Sequence, residues 1–190
     1  MRKNVIQFFS LFLVMALSSC IPEGLRTFTV TLDETVTVPG TNPLVNTALQ
    51  AAEVVPQDLP GVLSKSLNQE LDTQNIPVEA IESLQFSLIT LTVTEPEENG
   101  NQVRDLSFFD SLTFSIADGE TTDTIAQSEA NAFDSGVVTY TFPQLETELI
   151  SFFQSSEELE IQTDVTVKGH PNFETEILFH FEITIIAKGI

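Results

Sequence analysis

The sequence predicts a mainly β protein: an antiparallel β-sandwich, immunoglobulin-like or jelly-roll-like, with short helical crossovers, over residues 27–190. Three observations predict it. Period-two alternation recurs along the chain, as at Phe28, Val30 and Leu32, and such alternation marks a half-buried strand. Turn residues punctuate the runs, at Pro39-Gly40, Asn99-Gly100, Asp118-Gly119 and Gly169-His170-Pro171-Asn172. Helical spacing is confined to short stretches. Strands with frequent turns and few helices bury their apolar faces by packing sheet on sheet.

Taken in order, Thr27 to Val38 alternates in one phase across the acidic pair Asp33-Glu34, which predicts a strand or a strand pair ended by Pro39-Gly40. Thr41 and Pro43 are suited to open a helical turn carrying Leu44, Val45 and Leu49. Leu59, Leu63, Leu67 and Leu71 recur every four residues behind Asp58, a helical stripe that covers one end of the core. Leu84, Phe86 and Leu88 alternate, and Ile89, Leu91 and Val93 then alternate in the opposite phase. That shift requires a β-bulge or a strand buried on both faces. Leu106, Phe108 and Phe109 predict a helical turn behind Asp105. Leu112 to Ile116, Thr124 to Gln127 and Val137 to Phe142 predict strands, the second at an edge. Leu145, Leu149, Phe152 and Phe153 have helical spacing. The last two runs, Leu159 to Val167 and Ile177 to Ile185, predict a hairpin closed by the turn residues 169–172.

Charge excludes whole classes of partner. The chain has 7 Lys and Arg against 28 Asp and Glu. Nucleic acid is excluded, because binding it needs clustered Lys and Arg to displace counterions. Attraction to anionic lipid head groups is excluded for the same reason. The acidity reads most simply as a solvated surface. The one cysteine, Cys20, leaves no internal disulfide, so packing must supply the stability, and fifteen Phe among many Val, Ile and Leu can do so.

The first twenty residues have their own logic. Arg2 and Lys3 precede an apolar run from Val5 to Leu17, and small Ser18 and Ser19 lead to Cys20. The run is shorter than the roughly 20 residues a spanning helix needs. A basic start, a short apolar core and a small-residue exit form a secretory signal. Leu17-Ser18-Ser19-Cys20 resembles the lipobox of bacterial lipoproteins: an aliphatic residue, two small residues and cysteine. The resemblance covers residues 1–20 alone. It implies a signal peptide over 1–19, cleavage before Cys20, a diacylglyceryl group on the Cys20 sulfur, and palmitate-type acylation of the new amine. Residues 20–26 then form a lipidated cysteine and tether reaching at most about 20 Å, and 27–190 a single domain. The mature chain keeps five Lys and Arg against 28 acidic residues, a formal charge of −23. The resemblance also implies a membrane-anchored envelope location, the outer membrane in a Gram-negative cell.

Signatures of chemistry are sparse. No G-x-S-x-G elbow, P-loop, dinucleotide fingerprint or H-E-x-x-H occurs, so no catalytic residue is assigned. His170 lies in a turn and reads as exposed, and His180 alternates out of phase with Phe179 and Phe181, beside Glu182. No resident cofactor is expected. One constellation offers oxygen ligands: Glu95, Glu97 and Glu98 in one loop, and Asp118, Glu120 and Asp123 in another. If the loops converge they could hold calcium weakly, since calcium accepts six to eight oxygens in permissive geometry. The resulting expectation is a lipid-anchored envelope lipoprotein with a non-enzymatic binding or assembly role, its partner an envelope protein or glycan. The alternatives are an envelope enzyme with a site built from scattered loop residues, and a purely structural surface lipoprotein. Fold alone does not choose among them.

Overall fold

The structure, a computed structural model, describes residues 25–40, 54–55, 59–98, 102–117, 122–143, 145, 147–155 and 160–188. Strand β1 (Leu25–Val38) is one continuous strand. The charged pair Asp33-Glu34 does not break it, because all fourteen of its residues pair antiparallel with β9 (Thr175–Lys188), from Leu25 opposite Lys188 to Val38 opposite Thr175. The inward face of β9 is almost wholly apolar: Ile177, Phe179, Phe181, Ile183, Ile185 and Ala187 are all buried. On its other side β9 pairs with β2 (Ile81–Val93), which pairs with the short β7 (Thr139–Thr141). The four-stranded sheet thus has the order β1-β9-β2-β7.

A second antiparallel sheet has the order β6-β5-β8, built from β6 (Thr122–Gln127), β5 (Phe109–Ala117) and β8 (Glu160–Val167). Its inner face meets that of the first sheet in one apolar core. Phe114 of β5 stands edge-on to Phe181 of β9, with ring centroids 5.6 Å apart, and edge-on to Phe142, 5.5 Å away. Such aromatic pairs add roughly 0.5–1.5 kcal/mol each beyond the area they bury. The fold is therefore mainly β, with two antiparallel sheets of four and three strands packed as a sandwich. Between β2 and β5 lies a two-stranded ribbon, β3 (Glu97–Glu98) and β4 (Gln102–Val103).

The phase change in β2 is a bulge. Register slips between Phe86 and Leu88, so Leu84 and Phe86 face the core before it and Ile89, Leu91 and Val93 after it, while Leu88 is half-buried. Helix α1 (Leu59–Gln74) carries the predicted stripe, with Leu67 and Leu71 buried, and touches β1 and β8 at one flank of the sandwich. At sixteen residues it is longer than the short crossovers expected. Helix α2 is shorter than its periodicity predicts, Ile150–Ser155, because Glu148 first joins the edge of β2. The Glu148 carboxylate accepts from the backbone N–H of Leu84 (2.6 Å), the Ser83 hydroxyl (2.8 Å) and the Gln85 amide (3.2 Å). The segment 147–153 thus closes the flank opposite α1, and Thr147 donates to the carbonyl of Thr124 in β6.

The predicted terminal hairpin is corrected. Strands β8 and β9 do not pair with each other: β8 pairs with β5, and β9 lies between β1 and β2. Residues 168–174 carry the chain from one sheet to the other. The reason is that β9 is apolar enough to sit at the centre of the larger sheet, a place the half-buried Val165 and Val167 could not fill. The proposed cap at Asp58 and the turn over 41–49 lie outside the described residues.

Candidate functional site

The strands have two poles. Leu25, Ile81, Ala117 and Lys188 stand at one, while Val38, Val93, Phe109, Val167 and Thr175 stand at the other. At the second pole the link 168–174 meets two turns. One is 104–108, where Asp105 accepts hydrogen bonds from the Ser107 hydroxyl (2.5 Å) and the Ser107 N–H (3.1 Å). The other is 134–138, whose Gly136 N–H donates to the second oxygen of Asp105 at 2.7 Å. Gly136 has φ +89°, in the left-handed region that favours glycine. Burial pushes the Asp105 carboxyl up, but these three donors outweigh it and hold the group below its ordinary range. Asp105 is thus an ionised clamp whose oxygens are already engaged.

Around that clamp lies a mostly polar cavity of about 230 Å³. Arg104, Asp105, Lys168 and His170 line it, with Asn172 and Thr175 among the others. Arg104 also ties the pole together: its Nε donates to the carbonyl of Glu174 at 2.7 Å and a terminal nitrogen to that of Glu95 at 3.4 Å. Lys168 Nζ lies 3.4 Å from the carbonyl of Phe133. His170 is half-buried rather than exposed, with Nδ1 3.3 Å from the carbonyl of Pro39 at the end of β1. Gly40 fixes that approach, because a Cβ there would lie 2.5 Å from the backbone of Phe173 and Glu174. A chain poor in cations therefore sets two of them on one small cavity, with Asp105 the one carboxylate among its described lining residues.

The expected acidic constellation fares differently. Glu95 is exposed and follows β2 at the cavity pole. Asp123 is exposed in β6, opposite Ile116, and the neighbouring pair Ala117 and Thr122 marks the other pole. β5 separates the two positions by roughly 26 Å at about 3.3 Å per residue. Of the six expected ligands, the described pair Glu95 and Asp123 therefore stand near opposite poles and do not come together. The side chains of Glu97 and Glu98 lie outside the described residues, as do Asp118, Glu120 and Cys20. Among the described residues no group of three or more His, Cys, Asp and Glu is arranged to hold a metal.

His180 faces outward, with Nδ1 2.6 Å from Asp33 Oδ1 and Nε2 3.4 Å from Glu182 Oε1. No nucleophile contacts it among the described hydrogen bonds, and the three side chains form a hydrogen-bonded cluster on the outer face. Sequence reading missed Arg104 and Lys168. The available signal was their rarity: in so acidic a chain a lysine beside Gly169-His170 stands out, but those residues read as a hairpin turn.

The molecule belongs to the class of two-sheet antiparallel sandwiches, with a polar, cation-lined cavity at one pole. No family model matches the chain, and no curated protein is similar to it.

Proposed function

We propose that the protein is a lipid-anchored cell-envelope lipoprotein with a non-enzymatic binding role. The observation that carries this reading is the geometry of β1. It begins at Leu25, five residues after Cys20, and ends beside the cavity, where Pro39 meets His170. A chain tethered at Cys20 would hold the first pole at the membrane. The cavity would then stand about 40 Å away along a fourteen-residue strand, the arrangement a receptor or adaptor needs to meet a partner outside the bilayer. Among the described lining residues Asp105 is held ionised by three donors and so is poorly suited to proton transfer, which favours binding over catalysis at that carboxylate. Among the described residues no helix is long and apolar enough to cross a membrane, so the attachment proposed is the lipid on Cys20. Two or more acyl chains suffice for stable anchoring.

The test is fractionation and mass spectrometry of the full chain and of Cys20→Ser. The native chain should carry lipid mass on its N-terminal peptide and partition with membranes, in the outer membrane of a Gram-negative host. Cys20→Ser should lose both properties. An unchanged membrane fraction would refute the anchor.

A further inference from the structure

The cavity at the β1 end has the chemistry of an anion site. Arg104 and Lys168 line it with His170, and Asp105, the one carboxylate among the described lining residues, already accepts three hydrogen bonds. The chain as a whole carries a formal charge of −21. At physiological ionic strength charges beyond about 8 Å are largely screened, so a ligand in the cavity responds to the lining groups and to the neighbouring Glu95 and Glu174 more than to the remoter acidic surface. About 230 Å³ is room for several waters, at about 30 Å³ each in the liquid. It is below the roughly 300–1,000 Å³ of sites that enclose a drug-sized ligand. The cavity therefore fits a small charged group rather than a whole apolar molecule.

We propose that this cavity binds an oxyanion, a phosphate or carboxylate group, either free or borne on a saccharide. Lys168 supplies an ammonium that also donates to the carbonyl of Phe133 at 3.4 Å, leaving two further N–H donors. Arg104, braced by the carbonyls of Glu174 and Glu95, supplies a fixed guanidinium. His170 and Asn172 complete the wall with further polar atoms. Gly169, at φ +154°, turns the backbone between Lys168 and His170, both of which line the cavity. Oxyanion binding stands on this geometry alone, whereas presentation away from a membrane rests on the lipoprotein reading. The two fail separately: release of Cys20→Ser from membranes tests only the second.

The experiment uses the full chain in neutral detergent. Sodium phosphate is titrated against sodium chloride of matched ionic strength, by calorimetry and by backbone amide NMR. Phosphate should give a saturable signal that chloride does not, with amide shifts centred on Ser107, Gly169 and His170. Lys168→Gln should weaken it about tenfold, the scale of one charge-assisted hydrogen bond. Lys168→Arg should keep it within a few-fold, and Lys188→Gln, at the other pole, should leave it unchanged. A sugar phosphate or a uronic acid binding more tightly than the free ion would assign a saccharide-borne group, and equal affinity would assign the free ion. Calcium chloride is the opposing arm. Equal responses to phosphate and chloride, shifts centred elsewhere, or a response to calcium alone would overturn the proposal. The NMR arm needs no variant, so it decides the matter even if Lys168→Gln fails to fold.

Discussion

Asp33 and His180 are direct partners across the β1–β9 pair, and their side chains meet with Oδ1 2.6 Å from Nδ1. The contact lies on the outer face of the larger sheet, with the carboxylate 57% and the imidazole 24% exposed. Exposed pairs contribute little, because solvent screens them and both side chains lose freedom. A double-mutant cycle of Asp33→Asn and His180→Gln, read by urea unfolding, should give a coupling below about 1 kcal/mol. It should shrink further in 1 M salt, where the Debye length is about 3 Å. A coupling several times larger would mean that the outer face is covered in solution.

Asp105 links stability to pH. Its folded pKa lies below its unfolded one, so the folded state favours the ionised form. The contribution is present above the unfolded value, about 3.9 for aspartate, and is lost as pH falls through the folded value. Asp105→Ala should cost about 1–2 kcal/mol at pH 7, a range set low because the carboxylate is partly exposed. The gap between variant and native chain should narrow toward pH 2 in urea melts. A gap that persists undiminished would show that the loss is one of packing.

Glu148 stitches the start of β2 to the segment before α2, and its carboxylate also lies 3.4 Å from the N–H of Ile150. Glu148→Ala leaves the Leu84 N–H and the Ser83 hydroxyl without this acceptor, at a cost of about 1–3 kcal/mol. Glu148→Gln keeps one carbonyl oxygen and should cost less. Amide exchange at Leu84 should speed up in the alanine variant first, and equal protection in both variants would count against the assignment.

Phe114 is the joint between the sheets, touching Phe181 on one side and Phe142 on the other. Phe114→Ala should cost about 3–5 kcal/mol, the usual scale for a buried ring. Phe28→Ala, on the half-buried end of β1, should cost clearly less. Thermal melts of the two variants order them directly.

Glu95 and Asp123 stand near opposite poles, so the acidic stretches that contain them should behave independently. Replacing Glu97 and Glu98 by Gln, and Asp118 and Glu120 by Asn and Gln, should change stability additively to within about 0.5 kcal/mol. Any calcium-dependent rise in melting temperature should likewise be a sum of separate parts. Strong non-additivity would mean that the loops share an ion after all.

The local pattern was legible where period and burial coincide. The β2 bulge was readable because two apolar residues in succession, Leu88 and Ile89, must break an alternating face. The α1 stripe was readable because the positions midway between its leucines, Gly61, Lys65 and Gln69, are not the apolar residues a strand face would carry. Pairing was not legible. Val165 and Ile177 alternate as a hairpin would, and the turn residues between them suit one, yet each strand finds partners far away in sequence. Alternation reports which face is buried, and it carries no information about which strand lies alongside. The cavity shared that fate: Arg104 and Lys168 are sixty-four positions apart in the sequence, and only the crossing of 168–174 between sheets brings both to it.

The pairing of β1 with β9 has a consequence for how the chain comes to be folded. The earliest described strand to leave the ribosome has no partner until the latest one follows it, since among the described strands β1 pairs with β9 alone. β2 must also wait for β9, having only three paired positions with β7 before then. Nascent β1 and most of β2 therefore lack their β9 partner until the end of synthesis, the condition under which strands find wrong neighbours. Loss of residues 175–188 would remove the middle of the larger sheet rather than trim its border. A chain cut short there would have no native resting place for its own beginning.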